Sequence, residues 1–310
     1  MSDAALSAAP PRARRRHAGA VAEAMAGWSL ALPATILMIL LLLGPALGAV
    51  ILALTDWQFG APTLNWIGLG NFVDMAGDRV FWRSLGNTMI YIGLVVPLSV
   101  LLGLGAALLI EADPAGRSFY RAAFFLPVAS TLLAMAIVWE FLLHPSFGLV
   151  NRVVELFGAS GIDWLKNPAT ALPTVAAIGI WKALGLNMVL FMAGLKSIPH
   201  DLYDAAAIDG ADGAWERFRR VTWPMLGPTL MFVLVISAIR AFQESFDLVA
   251  VLTQGGPNKA TEVLLYTIYQ EGFSFFRSGY AAALTLIFLA FVLALTLLQA
   301  KVLDKRVHYG

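Results

Sequence analysis

Residues 197–224, SIPHDLYDAAAIDGADGAWERFRRVTWP, form a highly charged stretch between two of the longest apolar runs of the chain, at 171–195 and 225–252. Runs of that length and composition belong in a lipid bilayer, whereas a segment with this many charged side chains belongs in water. Residues 197–224, the charged loop, are therefore predicted to lie outside the membrane between two spanning helices. Such a loop is suited to docking and not to crossing a bilayer.

The first part of the charged loop is predicted to be a short helix. Pro199 suits its first helical position, because the fixed φ of proline matches a helix and its missing N–H has no partner there. One face of this helix carries, at positions i, i+3 and i+4, Leu202, Ala205 and Ala206. Small alanine side chains would let that face approach a neighbour closely. Asp209 and Gly210 are expected to end the helix.

A second short helix is predicted after Gly210, and Asp212 is a candidate N-cap for it. The inner face of this helix would carry, at positions i, i+3 and i+7, Trp215, Phe218 and Thr222. Two helices that meet at a glycine would form an angled lever on one side of the membrane.

The composition of the whole chain is that of a polytopic membrane protein. Of its 310 residues 59% are hydrophobic and 13% are charged, and the mean hydropathy is +0.75. A net charge of +1 gives no reason to expect nucleic-acid binding. The chain has no cysteine and its four histidines are scattered, so neither a disulfide framework nor a metal site is expected.

Six apolar runs are long enough to cross the hydrocarbon core of a bilayer, which requires about 20 residues of α-helix. They lie at 29–54, 87–110, 122–143, 171–195, 225–252 and 280–300. The first run is longer than the apolar part of a signal peptide, so we predict an uncleaved spanning helix after a basic arm at 1–28. The predicted fold class is thus all-α, a polytopic membrane protein with six transmembrane helices.

Lysine and arginine counts predict the orientation of the spans. With a cytoplasmic N-terminus, the cytoplasmic segments contain thirteen of these residues and the outer segments contain six. The positive-inside rule therefore places the basic arm, the charged loop and a short tail at 306–310 in the cytoplasm. The outer loops are too short to form a ligand-capturing domain, so a separate binding protein would have to deliver a solute.

The charged loop resembles the EAA signature of ABC importer permeases, which reads Glu-Ala-Ala, a glycine four residues later, and then Ile-x-Leu-Pro. The matching positions are Asp204, Ala205, Ala206, Gly210, Val221 and Pro224. This sequence departs from the pattern in having Asp204 for the glutamate, Trp223 for the leucine, and ten residues between Gly210 and Val221 where nine are usual.

In that family the loop carries a coupling helix, which rests in a cleft of a cytoplasmic ATPase subunit. The resemblance assigns contact with the ATPase to Asp204, Ala205, Ala206, Asp209 and Gly210. An amphipathic hairpin that merely lies on the membrane surface is the alternative interpretation of the same residues.

Two further segments are similar to carbohydrate permeases of this family. Residues 124–151 look like the third helix and following loop of sugar permeases, through Leu126, Pro127, Trp139, Pro145, Gly148 and Asn151. Residues 253–257, TQGGP, are similar to the TxGGP turn of the maltose-type first subunit, although such residues suit any tight turn that ends a helix. The resemblance covers residues 29–305, the predicted permease domain.

The resemblance implies a multi-pass permease subunit of a bacterial ABC importer in the cytoplasmic (inner) membrane, translocating a carbohydrate or polyol. It implies as partners a second permease subunit, two ATPase subunits and a soluble or lipid-anchored solute-binding protein. ATP and Mg²⁺ would bind to the ATPase subunits and no cofactor to this chain, since no glycine is followed by lysine and a P-loop is excluded. The chain is expected to be a transport subunit and not an enzyme.

Charged side chains within apolar runs are costly and are therefore candidates for function. One helical face is shared, at i, i+3, i+4 and i+7, by Arg240, Gln243, Glu244 and Asp247. Together with Trp181, Asn187 and the flanking Phe242 and Phe246, these are candidate residues of a solute cavity. The alternative for Arg240 and for Lys182 is an ion pair that serves only helix packing.

A second class of function would use some of these residues differently. In an ion-coupled secondary transporter, Glu244, Asp247 and Glu140 would be proton or ion sites, and the chain would act alone. A membrane enzyme is disfavoured because the sequence contains no G-x-S-x-G or H-E-x-x-H pattern.

Overall fold

The computed structural model describes residues 13–112, 116–158 and 160–304. These residues form fourteen α-helices and three π-helical segments, and this part of the chain has no strand beyond an isolated bridge between Thr55 and Trp66. The first twelve residues of the predicted basic arm and the predicted tail at 306–310 lie outside the described residues. The prediction of an all-α protein is confirmed.

The helices follow one another with short connections. In chain order they are α1 (Ala13–Met38), α2 (Gly44–Ala53), α3 (Gly70–Gly77), α4 (Arg79–Ala112), α5 (Arg117–Ala129), α6 (Leu132–Leu142), α7 (Leu149–Leu156), α8 (Ala171–Lys196), α9 (His200–Ile208), α10 (Ala214–Arg217), α11 (Trp223–Met225), α12 (Gly227–Leu252), α13 (Leu264–Tyr269) and α14 (Ser278–Asp304). The π-helical segments are Ile39–Leu43 between α1 and α2, Phe218–Thr222 between α10 and α11, and Gln270–Ser274 after α13.

Five helical segments are long and apolar enough to cross a membrane, namely Met25–Ala53, α4, α8, α12 and Ser278–Gln299 of α14. Helices α5 and α6 make a sixth span if they are counted together, but they meet at an angle of 103°. The prediction of six spans is confirmed with this qualification, and the third span, predicted at 122–143, is bent between α5 and α6. The physical reason is an extended backbone at Ser130 and Thr131, which ends the helix one turn after Pro127.

Small residues let the spanning helices approach one another closely. Gly103 of α4 lies where an added Cβ would be 2.7 Å from Cβ of Asn187 on α8. Gly185 of α8 is closer still to α5, because its Cβ would overlap the backbone carbonyl oxygen of Phe124. Close approach at glycine is the usual basis of helix packing in lipid, where all surfaces are apolar and the hydrophobic effect does not favour one contact over another.

A buried polar chain links the three central helices. The amide nitrogen of Asn187 on α8 donates to Ser99 Oγ of α4 at 3.1 Å, and its amide oxygen accepts from Ser237 Oγ of α12 at 2.9 Å. Asn187 is only 2% exposed, so both ends of its amide are paired away from solvent. Satisfied hydrogen bonds of this kind fix the register of α4, α8 and α12.

At the end of the bundle opposite the charged loop, buried side chains hold irregular segments in place. Asn151 accepts from Ile162 N and from Trp164 Nε1 and donates to Ile162 O, which folds residues 144–164 around its amide. On the neighbouring side Asn87 of α4 donates to the carbonyl of Glu262 at 2.9 Å. The connections at this end are therefore anchored to the helices and not free.

Gly185→Ala is expected to lower the thermal stability of the purified subunit, because the new methyl group forces α5 away from α8. Overpacking of this kind costs about 1–3 kcal/mol. Gly93→Ala is the matched control, since Gly93 lies inside α4 with no atom within 4 Å of an added Cβ. Thermal unfolding in detergent measures both variants, and an equal effect of the two substitutions would contradict the close α5–α8 contact.

Candidate functional site

The charged loop contains a short helix with a well-defined end. The N–H of Gly210 donates to the carbonyl of Ala207 at 3.1 Å and the N–H of Ala211 to that of Ala206 at 2.8 Å. These two bonds form a Schellman motif, which requires the left-handed conformation that Gly210 adopts at φ +80°. Ala211 is fully buried behind the turn. Gly210 therefore ends α9, as predicted, and fixes the direction in which the chain leaves it.

The predicted starts of the two loop helices need correction. Pro199 has an extended ψ of 135° and precedes α9, whose first residue is His200. Gly213, with ψ 148°, occupies the N-cap position of α10, so Asp212 lies one residue too early to cap that helix. In each case the predicted residue is adjacent to the observed one.

The second helix of the charged loop continues into the membrane. Helix α10, the π-helical segment Phe218–Thr222 and α11 keep helical backbone angles throughout, and a single turn residue, Leu226, separates them from α12. Tyr203 Oη of α9 is 3.0 Å from Thr222 Oγ1, and Arg217 Nε donates to the carbonyl of Ala211. Helix α9 is therefore hydrogen-bonded to the segment that leads into the base of α12.

The outer surface of the charged loop is partly apolar. Its exposed residues include Leu202, Asp204, Ala205, Ile208 and Trp215. Trp215 was predicted to face inward, but its side chain is 70% exposed and stacks along Phe218 at a ring-centroid distance of 5.6 Å. Thr222 is buried, as predicted, and the neighbouring Val221 is buried beside it. A surface that combines an acid with large apolar side chains is suited to a protein partner.

Ile208 is a functional candidate that the sequence prediction missed. It is the last residue of α9 and is 88% exposed, more than any other isoleucine in the described chain for which exposure is given. The sequence signal was its position, since it is a large apolar residue beside Asp209 and Gly210 in a loop that is otherwise highly charged. Burial of such a side chain by a partner contributes about 1.5–3 kcal/mol.

A cavity of about 780 Å³ lies between the charged loop and the adjacent ends of α4, α5 and α8. Its charged lining residues are Glu111, Arg117, Lys196, Asp204 and Arg217. Glu111 and Arg117 form an ion pair across the α4–α5 connection. Asp204 thus lies at the edge between this cavity and the exposed surface of α9.

The polar face of α12 is organised around Glu244. This carboxylate is 8% exposed, and its Oε1 accepts hydrogen bonds from Lys182 Nζ of α8 at 3.2 Å and from Arg240 Nη2 at 3.1 Å. The ion pairing that the alternative interpretation requires is therefore present for both Lys182 and Arg240. The ion pair joins the two helices that flank the charged loop.

The remaining candidates divide into buried and exposed residues. Asn187 belongs to the buried hydrogen-bonded chain between α4 and α12, and Phe242 is 4% exposed and packs edge-on against Phe288 and Phe291 of α14. Both side chains are buried in this structure. Trp181 is 36% exposed and packs edge-on against Trp139 at 5.4 Å.

Gln243 and Asp247 are exposed one turn apart on the outside of α12. Within the part of the chain that the structure describes, neither side chain forms a hydrogen bond or ion pair. Phe246 lies between them along the helix and is half-buried. A face that carries an unpaired amide and carboxylate in the middle of a membrane helix belongs against water or another protein and not against lipid.

The predicted TQGGP turn is an internally braced loop after α12. Gln254 and Gly255 have positive φ values of 49° and 81°, and Thr261 Oγ1 donates to the carbonyl of Gly256. Beside the turn, a cavity of about 270 Å³ is lined by Glu140, His144, Asp163 and Lys166. Among the described residues no group of three or more His, Asp or Glu is arranged to hold a metal ion.

Burial affects two ionisable groups in the segment that follows the turn. Burial raises the pKa of the Tyr266 hydroxyl, and the nearby Glu262 raises it further. Burial also raises the pKa of Glu271, while the neighbouring Arg277, whose Nη1 is 3.1 Å from Glu271 Oε2, lowers it. Tyr266 therefore remains a neutral hydrogen-bonding group.

The sequence matches the family model described as "Binding-protein-dependent transport system inner membrane component" over residues 67–309. Among similar proteins is the sn-glycerol-3-phosphate transport system permease protein UgpA of Agrobacterium fabrum, 34% identical over 91% of this chain and 95% of that protein. Another is the trehalose/maltose transport system permease protein MalF of Thermococcus litoralis, 32% identical over 90% of this chain and 94% of that protein.

The fold is similar to that of a solved transporter. A chain in the crystal structure of a bacterial ABC transporter involved in the import of the acidic polysaccharide alginate aligns with a TM-score of 0.79 and 25% identity. The alignment covers 94% of this chain and 99% of that one. The helical arrangement described above is thus shared along almost the whole length of both chains.

Glu244→Leu is expected to destabilise the subunit strongly, because it leaves Lys182 charged and unpaired between helices. Loss of one partner of a buried ion pair costs about 3–5 kcal/mol. The double variant Lys182→Met with Glu244→Leu is expected to recover most of that loss, since the one charge that is then left without its partner, Arg240, has a side chain that is 42% exposed. Thermal unfolding of the single and double variants forms a double-mutant cycle. A double variant that is as unstable as Glu244→Leu would contradict direct pairing.

Proposed function

Because this chain belongs to the family of binding-protein-dependent transport system inner membrane components, we propose that it is the permease subunit of an ATP-driven importer for a carbohydrate, polyol or related sugar-phosphate solute. The observation that carries the proposal is the charged loop, in which α9 presents Asp204 and Ile208 outward and is bonded from behind to the base of α12. A loop that only rested on a membrane would not need this internal bracing.

The partners in the proposal follow from what this chain lacks and what it presents. Its sequence has no P-loop, so two separate ATPase subunits supply ATP and Mg²⁺ binding. Asp204, Ala205, Ala206, Asp209 and Gly210 form the ATPase contact together with Ile208. A second permease covers the exposed face of α12, and a solute-binding protein docks at the end of the bundle opposite the charged loop.

Coupling in the proposed importer is mechanical. Closure of the ATPase subunits displaces α9, and the bond between Tyr203 and Thr222 passes that movement to the helix that continues into α12. Because Glu244 ties α12 to Lys182 of α8, the two helices move together. The orientation that the positive-inside rule predicts, with the charged loop and both termini in the cytoplasm, puts the loop on the side where ATP is available.

The ion-coupled secondary transporter is less well supported by the site. Glu244, its first candidate ion site, already accepts from two cationic side chains through one oxygen. Uptake assays separate the two functions. The importer requires ATP and its companion subunits, whereas a secondary transporter alone in liposomes would move solute down an ion gradient and stop when an uncoupler is added.

Ile208→Ser is expected to weaken the association of the permease with its ATPase subunits about tenfold or more, since a buried isoleucine contributes about 1.5–3 kcal/mol. Co-purification of the ATPase at several salt concentrations measures the change. Leu64→Ser is the control, because Leu64 is 51% exposed in the loop between α2 and α3, far along the chain from the charged loop. Unchanged recovery of the ATPase with Ile208→Ser would count against the proposed contact.

Replacement of Asp204 by Ala or of Gly210 by Val is expected to abolish ATP-dependent uptake and to leave the subunit in the membrane. Valine at Gly210 would have to adopt a positive φ, which costs about 1–2 kcal/mol and misdirects the chain after α9. Solute uptake and the amount of permease in isolated membranes are the two measurements. Normal uptake in both variants would argue that the charged loop does not couple to an ATPase.

A further inference from the structure

Four aromatic rings form a continuous strip beside the polar face of α12. The strip consists of Phe246 on α12, Tyr266 and Tyr269 on α13, and Phe273 in the π-helical segment that follows. Phe246 lies 6.3 Å from Tyr266 and 5.5 Å from Tyr269 between ring centroids, and Tyr269 lies 5.5 Å from Phe273. The ring planes of Tyr269 and Phe273 are inclined by only 28° to each other, and those of Tyr266 and Tyr269 by 29°.

From Tyr266 to Phe273 the exposed fraction of the aromatic side chains rises. Tyr266 is 8% exposed, Tyr269 is 44% exposed and Phe273 is 72% exposed, so the strip leads from the protein interior to open surface. At the inner end of the strip, Phe246 lies between Gln243 and Asp247 on α12. The aromatic strip therefore connects the exposed polar face of α12 with the end of the bundle that is opposite the charged loop.

Polar groups accompany the ring faces. Gln270 Nε2 is 3.4 Å from Tyr266 Oη, and both tyrosines of the strip carry hydroxyl groups at their ring edges. Gln243 adds an exposed amide at the inner end. Flat apolar faces with hydrogen-bonding groups at their edges fit a sugar ring, whose C–H bonds stack on an aromatic face while its hydroxyls bond at the rim. A strip that served only to contact lipid would not need the amides.

The charges around the aromatic strip distinguish between classes of sugar. Asp247 is exposed and negative, whereas the nearby cations are paired, Lys259 with Glu262 at 3.2 Å and Arg277 with Glu271 at 3.1 Å. Arg240, on the same face of α12, is paired with Glu244. Lys182 shares the Glu244 carboxylate with Arg240, so the formal charges of Lys182, Arg240, Glu244 and Asp247 sum to zero. This face therefore has no net positive charge that would attract a phosphate or carboxylate group.

We propose that the aromatic strip is a stacking path for an uncharged saccharide, along which the solute passes from its binding protein to the polar face of α12. The proposal rests on the importer function proposed above and specifies its solute as neutral and ring-bearing. Tyr269 and Phe273 contact the sugar ring first, and Gln243 and Asp247 receive its hydroxyls at the inner end.

The test uses the complete importer, purified with its own ATPases, second permease and binding protein and reconstituted in liposomes. The probes are maltose, trehalose, sucrose and sn-glycerol 3-phosphate. ATP-dependent uptake of at least one neutral disaccharide, above that of sn-glycerol 3-phosphate, is expected. Tyr269→Ala and Phe273→Ala are expected to lower uptake per assembled complex between about 2-fold and about 10-fold, the range that corresponds to one aromatic stacking contact.

Two controls separate stacking from a purely structural role. Tyr269→Phe keeps the ring and is expected to retain most of the uptake. Phe275→Ala removes a ring that is 57% exposed in the same segment but outside the strip, and it is expected to have no effect. The stacking path would be overturned if Phe275→Ala lowered uptake as much as Tyr269→Ala and Phe273→Ala do. It would also be overturned if the loss in the latter two variants disappeared once uptake was divided by the amount of assembled complex.

The probes also distinguish failure of the neutral-saccharide assignment from failure of the importer function. Uptake of sn-glycerol 3-phosphate alone would overturn the assignment to a neutral saccharide and leave the importer function intact. ATP-independent uptake that is unaffected by Asp204→Ala would overturn the importer function itself.

Discussion

A carboxylate inside a membrane protein is stable only while it is paired, and Glu244 is paired across two helices. Its partners are Lys182 on α8 and Arg240 on its own helix. Because α8 and α12 are also the helices on either side of the charged loop, this ion pair holds together the two helices that the loop connects. The two helices cannot separate at that depth without leaving charges alone in a medium of low dielectric constant.

The buried amide of Asn187 adds a second constraint between the same helices and α4. Together with the glycine contacts at Gly103 and Gly185, it produces a central unit of α4, α8 and α12 with fixed register. The first spanning segment, Met25–Ala53, is different, since only 6% of its most apolar part is buried against the rest of the chain. The fold thus combines a rigid centre with surfaces that the single chain does not cover.

Much of this architecture was predictable from sequence, because long apolar runs and the charge of residues 197–224 leave few alternatives in a bilayer. The glycine at 210 was also predictable, since a helix end of this kind requires a positive φ. The bend at Ser130 and Thr131 was not, because the mean hydropathy of residues 122–143 indicates one span, and a proline such as Pro127 occurs in many spanning helices without dividing them. The outward direction of the Trp215 side chain was also missed. Periodicity identifies which residues share a helix face, but it does not show against which face the neighbouring helix packs.

The candidate cavity residues were found as a group, but sequence could not separate their roles. Charge alone does not reveal that Glu244 is ion-paired with two cationic side chains, while Asp247 forms no ion pair within the described residues. The aromatic strip was missed because its members lie on α12, on α13 and in a π-helical segment, and only Phe246 stands near the polar residues in sequence. Periodicity within one helix does not predict contacts between segments that are separated by a turn.

The elbow between α5 and α6 restricts what can surround it in the bilayer. Two extended residues within a hydrophobic run interrupt the helical ladder, and peptide groups released in this way are tolerated at membrane depth only where protein or water surrounds them. The outer side of this bend therefore has to lie against protein or water and not against lipid tails.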